Sequence, residues 1–249
     1  MRSIMLGVLL GLTGCATLEG PEYAMYDTAE RANRKSYEIT DAIDKAVLVP
    51  VARGYERVIP DFVRTGVTNF FANLRGLNSA VNGYLQGKPS SGTIELVRFL
   101  MNSTLGLAGL VDVAAIAGLR QQDEDFGQTL AVWGYTRSRY VYVPFFGPST
   151  IRDLPDLVIR GFFPRVILGS DYDIAVASLD VLNTRANTLG ATDARDAGAI
   201  DPYAFTRDAY FQLRKFNAYD GDPPMDEFDE FFDDEWEDED SAFGDSAAE

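Results

Sequence analysis

The chain shows apolar stripes at helical spacing, separated by short breaks at proline or glycine. The first stripe predicts a helix that begins near Asp27, with Glu30 as its capping-box partner, and that stops at Pro50. A second helix is expected to have Asp61 as its N-cap and to continue to the break at Gly87-Lys88-Pro89. The two stripes consist of Ala29, Ala32, Ser36, Thr40, Ile43 and Val47, and of Val63, Gly66, Val67, Phe70, Phe71 and Leu74.

The C-terminal half continues this pattern. Ile174 to Leu189 predicts a helix that ends at Gly190, a usual C-cap residue. Asp201-Pro202 supplies an N-cap followed by proline at the first helical position. Residues 140–147 predict an apolar loop or a short extended piece. The last helix carries its stripe at Phe205, Ala209, Leu213 and Phe216. The sequence therefore predicts a mainly α single domain with little or no β structure.

Residues 99–119 are a long apolar run in which only Asp112 is charged. Its length would allow a membrane span, but Asn102-Ser103-Thr104, Gly106 and Gly109 interrupt it. Polar groups at membrane depth need protein or water around them. The composition favours a bend or re-entrant segment, and a buried core helix of a soluble domain remains the alternative.

A second apolar run, at residues 157–168, contains two arginines among aromatic residues. Aromatic rings can lie in a membrane interface while guanidinium groups extend toward the headgroups. We therefore predict that Arg160, Phe162, Phe163 and Arg165 lie at a membrane interface.

The net charge of −16 is concentrated at the C terminus, where 15 of the 38 acidic residues lie between Asp220 and Glu249 without any Lys or Arg. Such a block predicts a disordered acidic tail at residues 219–249. Alternatively, its aromatic residues could form one face of a helix on a basic, apolar partner. These residues are Phe228, Phe231, Phe232 and Trp236. No basic cluster indicates nucleic acid as a partner.

The chain contains no His and a single Cys. This excludes His-dependent triads and most protein zinc sites. No Gly-x-Ser-x-Gly, Walker or dinucleotide-binding pattern is present either. We expect no catalytic residue, metal or cofactor. A carboxylate-dependent hydrolase remains a distant alternative, although nothing in the sequence pairs two carboxylates.

The N terminus has the pattern of an export signal, with Arg2 before a short apolar run and Leu12-Thr-Gly-Cys15 after it. The run is far too short to span a bilayer as a helix. The last four residues resemble a bacterial lipobox, which predicts a signal peptide at residues 1–14 and a diacylated Cys15 that begins a linker at residues 15–25. Two acyl chains suffice for stable anchoring.

The following domain, residues 26–218, resembles the MlaA (VacJ) family of outer-membrane lipoproteins over most of its length. The resemblance rests on the number and order of its matching pieces rather than on any single one. They include Ala29-Glu-Arg-Ala-Asn-Arg34, Asn82-Gly-Tyr-Leu-Gln-Gly87, Arg98-Phe-Leu-Met-Asn-Ser-Thr-Leu-Gly-Leu-Ala-Gly-Leu-Val-Asp-Val-Ala114 and Pro144-Phe-Phe-Gly-Pro-Ser-Thr-Ile-Arg-Asp153.

The resemblance implies a ring-like helical protein embedded in the inner leaflet of the outer membrane, on its periplasmic side. It also implies association with trimeric porins and a central amphipathic channel. Misplaced phospholipid would pass through this channel from the outer leaflet to a soluble periplasmic carrier of the MlaC type. A lipoprotein that only tethers periplasmic partners to the membrane is the alternative.

Within this framework, residues 99–119 have the composition of a channel wall. We expect Asn102, Ser103, Thr104 and Asp112 to line it, with Asp112 alternatively capping a helix at residues 113–119. Phe70 and Phe71 are expected to pack on a neighbouring helix, with a membrane-facing position as the alternative. Arg152 and Asp153 are expected to cap a helix start, with a lipid-headgroup role as the alternative.

Overall fold

The computed structural model describes residues 26–169 and 174–223. Within these ranges the chain is mainly α-helical, with one β-hairpin, as the sequence predicts. The helices are α1 (Glu30–Ile43), α2 (Val49–Val58), α3 (Asp61–Leu85), α4 (Pro89–Thr104), α5 (Val113–Ile116), α6 (Phe126–Val132), α7 (Leu154–Ile159), α8 (Phe162–Leu168), α9 (Ile174–Gly198) and α10 (Pro202–Ala218), with a π-helical segment at Asp44–Leu48. Cys15, the signal peptide and the tail aromatic residues Phe228, Phe231, Phe232 and Trp236 lie outside the described residues.

Pro50 does not end the first helical stretch, contrary to the sequence prediction. The π-helical segment Asp44–Leu48 connects α1 to α2, and Pro50 lies in the first turn of α2. A proline ring inside an α-helix collides with the carbonyl four residues earlier. The wider π turn accommodates the ring, so the chain stays helical from Glu30 to Val58.

The two predicted N-caps of the first helices are also wrong. Ala29 and Pro60 occupy the N-cap positions of α1 and α3, and neither makes a side-chain capping bond. Asp27 is buried and accepts hydrogen bonds from Asn33 and Tyr203 instead. The predicted cap at Asp201 is confirmed, because its side chain accepts from the backbone N–H of residues 203 and 204.

Gly190 does not end its helix, because α9 continues to Gly198. Salt bridges hold the additional turns against the first helical stretch, and they outweigh the weak helix propensity of one glycine. They are Lys45–Asp196 at 2.8 Å, Arg53–Asp193 at 3.0 Å and Arg195–Asp41 at 3.4 Å.

The segment predicted as a loop or short extended piece forms a hairpin. Strand β1 (Tyr140–Val143) pairs antiparallel with β2 (Gly147–Thr150). Asn33 on α1 holds the hairpin, because its amide donates to the Tyr140 carbonyl and accepts from the Tyr142 N–H. Phe71 is buried at 2 % exposure and Phe70 is half-buried, in agreement with packing inside the protein.

Contacts between the elements form a closed circuit. Helix α2 packs on α9, and α9 packs on α3. Helix α3 then contacts α6, which contacts α10. Helix α10 packs on β2, and β1 returns to α1. This order of contacts agrees with the predicted ring-like arrangement.

Polarity in this domain is reversed relative to an ordinary soluble core. Among the described residues, 21 polar or charged side chains are buried against 11 hydrophobic ones, and only Phe71, Leu74 and Leu189 of the latter are large hydrocarbons. The stripe of α10, predicted at Phe205, Ala209, Leu213 and Phe216, lies on one face, and that face is exposed. Within the described ranges, no helix has both the length and the apolarity needed to cross a membrane.

Candidate functional site

The candidate site lies between α3 and α4, which form an extensively packed helix pair. Their backbones approach closely at Gly83 and Gly92. A Cβ atom at Gly83 would lie 2.8 Å from the Gly92 nitrogen, and one at Gly92 would lie 2.8 Å from the Ala80 carbonyl oxygen. Glycine is required at both positions for this approach. The two polar helix faces therefore meet in the protein interior.

A cavity of about 30 Å³ opens between these faces. Seven of its ten lining residues are polar or charged, and the exposed Gln121 and the partly exposed Asp112 connect it with the surface. The lining residues are Asn69, Ala72, Asn73, Gly76, Glu95, Arg98, Phe99, Asn102, Asp112 and Gln121.

Arg98 is the only cation among these lining residues, and each of its three guanidinium nitrogens has a partner. It donates to Asp112 Oδ2 at 2.9 Å and to the Leu119 carbonyl. Its Nε lies 3.4 Å from Glu95 Oε1. A charge this deeply buried needs such partners to offset its desolvation. Arg98 therefore holds α4 and the segment after it together.

Asp112 is both a helix cap and a lining residue. Its Oδ1 accepts from the Ala115 N–H at 3.0 Å, which caps α5, and from the Asn102 amide at 2.9 Å. Burial favours the neutral acid, but these hydrogen bonds and Arg98 hold the pKa of Asp112 below its ordinary value. The carboxylate is therefore ionised at neutral pH.

Glu95 has the opposite electrostatic character, because only 2 % of it is exposed. Burial raises its pKa to about 7, although the Gln122 N–H and Arg98 stabilise the carboxylate. The Gln122 N–H donates to Oε1 at 2.6 Å, while Oε2 faces Gly76. The cavity thus contains a carboxyl group that changes charge near neutral pH.

The link between α4 and α5, residues 105–112, is a tight apolar bend. Leu107, Ala108 and Gly109 have φ values of 53°, 58° and 95°, a left-handed run that costs energy for the two non-glycine residues. At Gly106, a Cβ would overlap the Val111 carbonyl oxygen. Leu105 and Leu107 are each 69 % exposed at this bend. The predicted interruption of the apolar run is confirmed.

The structure brings some of the predicted wall residues together. Asn102 and Asp112 share the cavity, and Ser103 lies beside it as the acceptor of the Asn73 amide at 2.9 Å. Thr104 is exposed and bonds back to the Leu100 carbonyl. The four predicted interface residues, Arg160, Phe162, Phe163 and Arg165, lie at the surface on or beside α8, and Phe163 among them is half-buried.

Asn73, Glu95 and Arg98 are among the cavity residues that were not predicted from the sequence. Positions 95, 98 and 102 share one face of α4 at helical spacing, which is a signal for Glu95 and Arg98 but not for Asn73. Asp153 occupies the predicted N-cap position of α7, but its side chain makes no capping bond. Arg152 and Asp153 are both buried, and Asp153 pairs with Arg152 and with Arg214 at 3.0 Å.

The helical circuit, the reversed polarity and the bend agree with the resemblance found in the sequence. A family model described as MlaA lipoprotein matches residues 25–217. The chain belongs to the MlaA lipoprotein family. This assignment covers every described helix except the last residue of α10.

Two characterised members of the MlaA family give the extent of the similarity. The intermembrane phospholipid transport system lipoprotein MlaA of Escherichia coli strain K12 is 33 % identical over 228 residues, which cover 89 % of this chain and 90 % of that protein. The Haemophilus influenzae protein of the same description is 27 % identical and covers 85 % of this chain and 88 % of its own length.

A solved structure supports the same family. Its chain is 32 % identical to this one, with a TM-score of 0.68, and the match covers 77 % of this chain and 98 % of that chain. The work that reports it concerns the structural basis for maintenance of bacterial outer membrane lipid asymmetry.

Proposed function

We propose that this protein is an outer-membrane lipoprotein of a phospholipid transport system, anchored through diacylated Cys15 on the periplasmic side. It removes mislocalised phospholipid from the outer leaflet through an amphipathic channel and passes it to a soluble periplasmic carrier of the MlaC type. A trimeric porin holds it in the membrane. No bond is made or broken, so no catalytic residue or cofactor is needed, and phospholipid is the transported ligand.

The observation that carries this proposal is the reversed polarity of the domain. Among the described residues, 36 large hydrophobic side chains are exposed while polar side chains dominate the interior. Extensive exposed apolar surface marks a membrane or partner interface. In water this surface would cause aggregation, whereas in the leaflet it is stabilised by lipid tails. The buried polar side chains then supply a hydrophilic interior, in agreement with the family's transport role.

The transported molecule sets a physical requirement on this interior. Exposing a diacyl lipid with about 30 methylenes to water would cost on the order of 25 kcal/mol, at about 0.8 kcal/mol per CH₂. Its headgroup is equally unfavourable in hydrocarbon. The path therefore needs a polar side and an apolar side next to each other.

Helix α4 offers both sides. Glu95, Arg98 and Asn102 line the polar cavity on one face. On another face, an open groove of about 490 Å³ has no charged lining residue. The groove is lined by Pro89, Ser90, Thr93, Ile94, Val97 and Leu119. Leu119 borders the groove and supplies the carbonyl that Arg98 contacts. A lipid can therefore keep its headgroup and its tails in matching surroundings along this helix.

The test measures phospholipid in the outer leaflet of living cells, with an acylation reporter that modifies only surface-exposed phospholipid. Deletion of the protein is expected to raise the reporter signal, and Cys15→Ser is expected to reproduce the rise because the anchor is lost. Thr17→Ser is the matched control, since it leaves the lipobox intact. An unchanged signal in both the deletion and the Cys15→Ser strain would contradict transport and favour a tethering lipoprotein.

A further inference from the structure

The wall of the cavity between α3 and α4 includes Asn73, whose amide oxygen is a buried hydrogen-bond acceptor that no described residue satisfies. Asn73 is 7 % exposed, and its Nδ2 is held by the Ser103 hydroxyl at 2.9 Å. Its Oδ1 is buried and has no hydrogen-bond partner among the described residues. A buried polar atom without a partner costs about 1 to 3 kcal/mol. A ligand that donates a hydrogen bond at this point would recover that energy.

The charges around the cavity also favour a cationic donor. Glu95 and Asp112 are carboxyl groups, and Arg98 is the one cation among the lining residues. Arg98 already donates to Asp112 and the Leu119 carbonyl. Asn69 is directed elsewhere, because its amide donates to the Leu110 carbonyl. With Glu95 ionised, one negative charge is left over, and one monovalent cation would balance it.

Cavity size limits the shape of that cation. The volume of about 30 Å³ suits one or two groups the size of water. Gly76 contributes to this space, because a Cβ there would lie 3.1 Å from Glu95 Oε2. A primary ammonium group fits and carries three N–H donors. A trimethylammonium group has no N–H donor, and its methyl groups need more room.

We propose that this cavity binds the primary ammonium of a phospholipid headgroup, with Asn73 Oδ1 and the Glu95 carboxylate as its acceptors. The inference rests on the proposed transport function and adds a headgroup preference to it. Lipids with an ethanolamine headgroup are bound more tightly than those with choline or glycerol. Gln121 and the carboxyl end of Asp112 mark the side from which the headgroup enters, because they are the parts of the wall that reach the surface.

The experiment measures the affinity of the full-length lipoprotein in non-ionic detergent for short-chain phosphatidylethanolamine, its N-methyl and N,N-dimethyl forms, phosphatidylcholine and phosphatidylglycerol. Affinity is expected to fall with each methyl group, by about tenfold in total between ethanolamine and choline, which corresponds to one hydrogen bond to a charged group. Glu95→Gln and Asn73→Leu are each expected to reduce this ratio to about twofold or less.

Matched controls separate the site from a general effect of substitution. Glu30→Gln and Asn187→Leu make the same chemical changes at exposed positions of α1 and α9, and both should retain the preference. Glu95→Gln preserves the acceptor for the Gln122 N–H, so it tests the charge even if Asn73→Leu lowers stability.

Other results of the binding measurement would contradict either the headgroup preference or the proposed function. Equal affinity of the wild-type protein for phosphatidylethanolamine and phosphatidylcholine would overturn the inference, as would a preference that survives both cavity variants. Competition by free ethanolamine as strong as by the lipid would identify a small-amine site rather than a lipid site. Failure to bind any of the five lipids would instead contradict the proposed transport function.

Discussion

Two buried clusters in this domain are built from the same residue types and differ in what surrounds them. The Arg214 cluster joins Arg152 and Arg214 to Asp125 and Asp153 between α6, α7 and α10. The Arg98 cluster joins Arg98 to Glu95 and Asp112 beside the cavity. The first pairs two cations with two carboxylates. The second has one cation for two carboxyl groups.

The two clusters also differ in how tightly the surrounding atoms are packed. Gly127 lies against the Arg214 cluster so closely that a Cβ would overlap Asp153 Oδ1 and lie 2.7 Å from Arg214 Nη2. At Gly76, beside the Arg98 cluster, a Cβ would meet only Glu95 Oε2, at 3.1 Å. Arg214 Nε is buried without an acceptor in the part of the chain that the structure describes. Tight packing, rather than complete hydrogen bonding, therefore distinguishes the Arg214 cluster. The Arg214 cluster, with balanced charges and tight packing, joins α6, α7 and α10. The Arg98 cluster, with one carboxyl group in excess and a cavity beside it, can bind a ligand.

The largest effect is expected from Arg214→Met, which leaves Asp125 and Asp153 buried without their shared cation. Removing one partner of a buried ion pair typically costs about 3 to 5 kcal/mol. Equilibrium unfolding in detergent micelles, followed by circular dichroism, measures this free energy. Arg53→Met is the control, because the Arg53–Asp193 pair is more than half exposed and such pairs contribute at most about 1 kcal/mol. If Arg214→Met and Arg53→Met lose the same unfolding free energy, the Arg214 cluster contributes no more to stability than an exposed ion pair.

Glu95 of the Arg98 cluster and the carboxylates of the Arg214 cluster are expected to respond to pH in opposite directions. Although burial opposes ionisation, Arg214 and Arg152 hold the pKa of Asp153 below its ordinary value, and Arg214 does the same for Asp125. Their stabilisation is present above the ordinary carboxyl pKa and is lost on acidification. The pKa of Glu95 is raised to about 7 by burial, with Asp112 and Asp123 adding to the shift and Arg98 opposing it. Its contribution is therefore largest below the ordinary value and is lost as the pH rises through 7.

The variant Glu95→Gln measures the part of the pH dependence of stability that comes from Glu95. The raised pKa corresponds to about 3 kcal/mol between the protonated and the ionised state. Relative to the wild type, the variant should gain about this much unfolding free energy between pH 5 and pH 8.5. Glu30→Gln should show no such gain. A wild-type protein whose stability difference from Glu95→Gln is constant over this range would contradict a buried, titrating Glu95.

The sequence predicts the helical fold well where the period and the caps act locally. The bend after Thr104 follows from Gly106, Gly109 and the polar residues before them, and the Asp201-Pro202 start of α10 follows from capping chemistry alone. The predicted helix ends were wrong where contacts between residues far apart in the sequence, or a local change of helix type, determine whether the helix continues. Salt bridges to the first helical stretch carry α9 past Gly190, and the π turn keeps Pro50 inside a helix.

The candidate site could be predicted only in part. Asn102 and Asp112 stood out because they interrupt an apolar run. Asn73 and Glu95 did not, because their role depends on the packing of α3 against α4, which brings together residues far apart in the chain. Helical spacing likewise predicts the stripe at Phe205 and Leu213 but does not say that this face is exposed. That choice depends on the surrounding solvent, which is lipid in the proposed location.

The smallest effect comes from one added methyl group in each cluster, and it tests the difference in space directly. Gly127→Ala places Cβ on top of Asp153 Oδ1, so the first turn of α6 or the Asp153 side chain must shift. Overpacking of this kind typically costs about 1 to 3 kcal/mol. Gly76→Ala meets only the end of the Glu95 side chain, which can move into the cavity, and alanine also favours the helix by about 1 kcal/mol. Its unfolding free energy should therefore change by less than about 1 kcal/mol, while its affinity for phosphatidylethanolamine falls because the cavity is partly filled. If Gly76→Ala is as destabilising as Gly127→Ala in the same micelles, the Arg98 cluster is as tightly packed as the Arg214 cluster, and the space for a headgroup does not exist.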